Sequence, residues 1–138
     1  MDPHTAGAGL ITDAEYKRIL SDGIRLFNEH KFFECHDKLE EAWKEVKHEK
    51  KKEPGSDPRR DFTHGLILLA VAYHHWRNGN HIGALRKYDE SKALLAPYPA
   101  KFEGVDLARI RTRTQRDFEA YRVDPRRPFE PSNVPRLP

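Results

Sequence analysis

Residues 58–78 read PRRDFTHGLILLAVAYHHWRN, and the fold turns on this stretch. From Phe62 to Trp76 it holds no Asp, Glu, Lys or Arg. Apolar side chains stand at Phe62, Leu66, Ile67, Leu68, Leu69, Ala70, Val71, Tyr73 and Trp76, on almost every side of a helix. A helix that is apolar all round is buried on most sides, so this one is expected at the centre of the molecule. Asp57-Pro58 reads as its N-cap and first position, and Gly79 as its stop. Gly65 and Ala72 leave room for a neighbouring helix to come close. The run is shorter than the ~20 apolar residues needed to span a bilayer, and it contains three histidines.

Helical signals continue on both sides. Upstream, Thr12-Asp13-Ala14-Glu15 is a capping box, in which hydroxyl and carboxylate each satisfy an orphan N–H. The first helix is expected to run to about Glu29, with Tyr16, Ile19, Leu20, Ile24 and Phe27 as its apolar face. The second is expected over about Phe32 to Lys51, with Phe32, Cys35, Leu39, Ala42 and Val46 as its core stripe. The run HEKKKEPGSDP then reads as a charged loop, and Lys50-Lys51-Lys52 as its solvation. Downstream, a fourth helix is expected from near Asn80 to before Pro97, and a fifth from about Val105 to Arg122. The expected organisation is a loose lead-in at 1–11, one helical domain at 12–123, and an extended proline-rich tail at 124–138.

Two of these turns resemble each other. FNEHKFFECHDKL at 27–39 aligns with WRNGNHIGALRKY at 76–88, an offset of 49. In each, an aromatic residue ends one helix, a polar turn follows, and a small residue opens the next. GNHIGALRKYDESKALLAPYP also looks like the second helix of a tetratricopeptide repeat, although the 34-residue period is missing. The fold class is therefore all-α, about five helices in tandem antiparallel hairpins of tetratricopeptide-like character.

Composition narrows function only broadly. The net charge is +3, but residues 1–69 carry 12 Lys+Arg against 14 Asp+Glu, and residues 70–138 carry 13 against 8. A basic second half permits an anionic partner. The single cysteine, Cys35, leaves no internal disulfide. The first residues, MDPHTAGAGL, show neither the basic start nor the apolar run of a signal peptide. The expected location is the cytoplasm. Two tryptophans and an extended tail would let such a domain dock on a copy of itself.

One place is chemically unusual. On the second helix, Phe33, His36, Glu40 and Trp43 form a second stripe, roughly 100° round from the first. Two aromatics bracket an ionisable pair at i, i+4, so His36 and Glu40 are expected to be partly desolvated. Taking a carboxylate out of water costs several kcal/mol unless it is paired. The partner could be His36 itself, a group on another helix, a metal or a ligand. Three readings stay open: an internal ion pair that fixes packing, a ligand pocket or catalytic site, and a metal site. In the catalytic reading His36 is the general base or a metal ligand, and Glu40 orients it or acts as acid. The third helix offers His64 and His75, but they lie about 16 Å apart along the axis at ~1.5 Å per residue. A mononuclear divalent-metal site would use His36, Glu40 and one of them. No HExxH, paired CxxC or P-loop is present, so no cofactor is predicted. Cys35 and His36 diverge by 100° on a helix and form no nucleophile–base pair.

Arg109, Arg113 and Arg116 share a face of the fifth helix, with Arg111, Arg122, Arg126 and Arg127 nearby. They offer a phosphate-binding surface. A solvated face explains them as well, because Asp106, Asp117 and Glu119 are interspersed and no aromatics interleave.

FNEHKFFECHDKLEEAW (27–43) and FTHGLILLAVAYHHWRNGNHIGAL (62–85), followed by GVDL (104–107), resemble the bacterial and archaeal family catalogued as domain of unknown function 309. The resemblance covers about residues 20–110. It implies an all-α fold of helical hairpins and motif positions at Glu34, His36, Glu40, Trp43, His75, Gly79 and Asn80. It brings no established activity. The family pattern favours glutamine where this chain has His64 and Leu68, so a shared pocket is here less polar at one end and titratable at the other. The leading expectation is a non-catalytic helical module that binds a small ligand or a protein partner. Its candidate ligand-binding residues are Glu34, His36, Glu40, Trp43, His64 and His75. Acid/base or metal-dependent catalysis through His36 and Glu40 is the first alternative. Nucleic-acid binding through the arginine-rich helix and tail is the second.

Overall fold

The computed structural model describes residues 11–47 and 57–130. Most of the lead-in, the end of the second helix past Lys47, most of the charged loop and the tail from residue 131 lie outside the described residues. Among the described residues five helices follow in order: α1 (Asp13–Asn28), α2 (Phe32–Lys47), α3 (Arg59–Arg77), α4 (His81–Leu95) and α5 (Leu107–Val123). A two-stranded antiparallel ribbon, β1 (Lys101–Phe102) and β2 (Val105–Asp106), precedes α5. The fold is all-α apart from this ribbon.

The helix starts follow their caps. Thr12 Oγ1 accepts from the N–H of Glu15 at 3.1 Å. Asp57 Oδ1 accepts from the N–H of Arg59 at 2.9 Å, so its carboxylate closes the first turn of α3. Asn80 and Asp106 cap α4 and α5 through the N–H groups of Gly83 and Arg109.

The α1–α2 and α3–α4 turns have the same construction, as the offset of 49 suggested. His30 and Gly79 take the left-handed conformation, at φ 61° and 76°. The His30 N–H donates to Phe27 O and the Lys31 N–H to Leu26 O. The Gly79 N–H donates to Trp76 O and the Asn80 N–H to His75 O. Both are Schellman turns. They also meet, since Arg77 Nη1 donates to the carbonyl of His30 at 2.5 Å and its guanidinium lies 4.9 Å from the Phe32 ring centroid. Turns this short make each pair an antiparallel hairpin.

The core forms around α3, whose Phe62, Leu66, Leu69, Ala70, Ala72, Tyr73 and Trp76 are all buried. The α2 stripe Phe32, Cys35, Leu39, Ala42 and Val46 is buried as expected. Gly65 lets α4 close on α3: Leu95 packs on it, and Ser91 Oγ donates to its carbonyl at 2.7 Å.

Nothing in the sequence pattern announces the ribbon. Val105–Asp106 pair with Lys101–Phe102, so the fifth helix opens at Leu107 and not at about Val105. Glu103 and Gly104 join the strands, both at positive φ, as a two-residue hairpin turn requires. The described part of the tail, 124–130, carries no helix or strand. It lies against the body: Arg127 O accepts from Trp76 Nε1 at 3.0 Å, and Phe129 packs edge-on to Phe32 at 5.8 Å.

Candidate functional site

Helices α2 and α3 run side by side in opposite directions, which sets their pairs in order along one seam. Phe33 faces His74 at one end, with ring centroids 5.8 Å apart. Trp43 faces His64 at the other, 4.5 Å apart and inclined by 31°. Between them His36 and Glu40 look over a cleft of about 300 Å³ whose floor is Ile67, Leu68 and Val71. The far wall contributes Lys87 from α4. Three helices therefore build the site, and the buried α3 forms its base.

His36 Nε2 stands 2.9 Å from Glu40 Oε2, the i, i+4 pair anticipated on this face. Their side chains are 28% and 32% exposed, so the pair is open to the cleft and not sealed in the core. The other ring nitrogen, Nδ1, lies 3.2 Å from Asp37 Oδ1 but out of line for a hydrogen bond, and it is shielded from solvent. Phe33 differs from expectation: it is 55% exposed although the His74 ring lies 5.8 Å away, because the seam ends there.

His64 is half-buried under Trp43. Burial pushes its imidazole below the usual histidine value, only partly opposed by Asp61. The pKa of His75 is lowered too, by burial and then by His74. It sits at the α3 C-terminus, 3.4 Å from Asn80 Nδ2, and does not line the cleft. Glu34 is exposed on the outer face of α2 and lies outside the cleft as well. Of the six candidate residues, His36, Glu40, Trp43 and His64 line the cleft together. Lys87 joins them, and nothing in the α4 pattern announced it.

Among the described residues, no three of His, Cys, Asp and Glu stand close enough together to hold a metal ion. His36, Glu40 and a third-helix histidine are not gathered as a three-ligand set, because His64 lies against the Trp43 ring. Cys35 is buried in the core, and burial pushes its thiol up to about 12. On α5, Arg109 and Arg116 are exposed and Arg113 is half-buried. Arg111 turns inward to the carbonyls of Leu95 and Tyr98, and Arg122 pairs with Asp89 and Glu119. Among the described residues, no helix is long and apolar enough to cross a membrane.

Residues 20–87 match the family described as Domain of unknown function (DUF309). The DUF309 segment spans every residue lining the cleft, from His36 to Lys87, and ends within α4. The chain is also similar to the Uncharacterized protein YpuF of Bacillus subtilis (strain 168), at 37% identity over 81 residues. That match covers 57% of this chain and 42% of YpuF, so the chain spans less than half the length of this relative. The DUF309 segment therefore carries α2, α3, parts of α1 and α4, and the cleft, and α5 with the tail lies beyond it.

Proposed function

We propose that this chain is a non-catalytic binding module whose ligand, a small molecule or an apolar segment of a protein partner, lies in the α2/α3/α4 cleft. One observation carries the reading. The cleft is open, floored by Ile67, Leu68 and Val71 and walled by Trp43, while its histidine is already engaged: Nε2 stands 2.9 Å from Glu40 Oε2, and Nδ1 is shielded from solvent beside Asp37. The pair fixes the shape of the cleft, while Trp43, Leu68 and Val71 offer the contact area. Saturation-transfer NMR with a fragment library tests this against the wild type and Leu68→Arg. Hits that vanish in Leu68→Arg support the cleft. Hits left undiminished, or no hits at all, count against it.

An acid/base enzyme is the second reading, and the openness of the cleft at His36 and Glu40 favours it. It requires the imidazole to swing so that one nitrogen faces a substrate, since a base must reach the proton it removes. A turnover activity lost in both His36→Ala and Glu40→Gln, with the fold intact, would replace the first reading with this one. Elemental analysis of tag-free protein tests the metal-dependent form: about one equivalent lost in His36→Ala would support it.

A further inference from the structure

A second cavity of about 250 Å³ opens between α4 and α5. It exists because Gly65 draws α4 onto α3, while α5 arrives by way of the β-ribbon and meets α4 along a shorter seam. Its walls are Leu69, Tyr88, Leu95 and Ile110. Of its three lining hydroxyls two donate elsewhere, Ser91 Oγ to Gly65 O and Thr114 Oγ1 to Ile110 O, both at 2.7 Å, and the third belongs to Tyr88. The walls are thus mainly apolar, and such cavities accept apolar groups in place of water.

The rim has the opposite character. Lys92 and Arg111 border the cavity, and no Asp or Glu does. Arg111 Nη2 donates to Leu95 O at 2.6 Å and Tyr98 O at 2.5 Å, which neutralises the negative end of α4 beside the opening. Lys92 has no carboxylate partner among the described residues, so its charge is free for an incoming group.

We infer that this cavity binds a small amphipathic monoanion, a short acyl or aryl carboxylate, with the apolar body against Leu69 and Ile110 and the carboxylate at Lys92. An apolar cavity of about 150 Å³ holds one benzene, so this larger one suits a body of roughly ten non-hydrogen atoms. Most of its lining falls after residue 87, beyond the DUF309 segment, so the site stands or falls apart from the cleft.

The test is a titration of the full chain with sodium octanoate at fixed ionic strength, followed by amide NMR. Saturable shifts at Leu69, Ile110 and Thr114 are expected, with octan-1-ol binding at least tenfold more weakly. Lys92→Glu should weaken octanoate at least fivefold. Ala96→Trp, at an exposed position on the rim, should block it. Three results would overturn the inference: no saturable shifts at these residues, equal affinity for octanoate and octan-1-ol, or an affinity unchanged by both variants.

Discussion

Leu95 stands where a β-carbon on Gly65 would go: its Cγ and Cδ2 lie 2.6 Å from that position. Alanine is the better helix former by ~1 kcal/mol, but overpacking a filled core costs ~1–3 kcal/mol. Leu95 is buried, and its side chain must shift toward the α4/α5 cavity it lines to admit the methyl. Gly65→Ala should therefore lower the urea midpoint, by a net loss of about 1 kcal/mol, and Leu95→Ala in the same chain should return part of it. An increase in stability would show that Leu95 gives way freely.

His64 gives stability a dependence on pH. Burial lowers its folded pKa below the unfolded value of about 6.5. Above that value both states are neutral and the group is silent. As pH falls below it, the unfolded chain takes up the proton first, so stability declines until the folded pKa is passed. His75 is shifted the same way and adds to the trend. Urea midpoints between pH 7.5 and 5.5 should fall for the wild type and fall less steeply for His64→Gln. Parallel slopes would assign the effect to other groups.

Asp117 should be a net liability at neutral pH. It is 5% exposed, its Oδ2 has no hydrogen-bond partner among the described residues, and Arg116 Nε is 3.9 Å from Oδ1. Burial raises its carboxyl pKa, against the pull of Arg116, Arg113 and Arg127. A raised folded pKa means stability present in acid and lost as pH rises through that value. Asp117→Asn should stabilise the protein by about 1 kcal/mol at pH 7, with a gap that narrows toward pH 4. A destabilised Asn variant would mean that the arginines outweigh the burial.

Phe129 should hold the described tail on the body. It packs against Phe32, Tyr73 and Trp76, beside the Trp76–Arg127 hydrogen bond. Phe129→Ala removes a half-buried ring, a loss of about 1 kcal/mol. Tryptophan emission should move to the red as Trp76 meets water. Unchanged emission would mean that the tail stays docked without the ring.

Much of this was legible because it is local. The Thr12 cap, the α2 core stripe and the Asn80 start of α4 follow from spacing within one turn or along one helix face. The central position of α3 follows from its having no polar side wide enough to face water. What stayed hidden depends on neighbours. The ribbon at 101–106 is two residues a strand, too short to display a period of two. Lys87 reaches the cleft only because α4 closes on α3. A helical projection aligns Phe33 with His36 but cannot say that only the His74 ring covers it, at the end of the seam. Gly23 reads as an ordinary residue of the first helix, yet a β-carbon there would come 2.4 Å from Leu39.

The bond from Arg77 to His30 is made to a carbonyl, which every amino acid possesses. The joint between the two hairpins therefore asks only for a chain in the left-handed turn at position 30, and not for an imidazole. A substitution at position 30 that keeps the left-handed turn, glycine or asparagine for example, therefore keeps the bond that ties the two hairpins together.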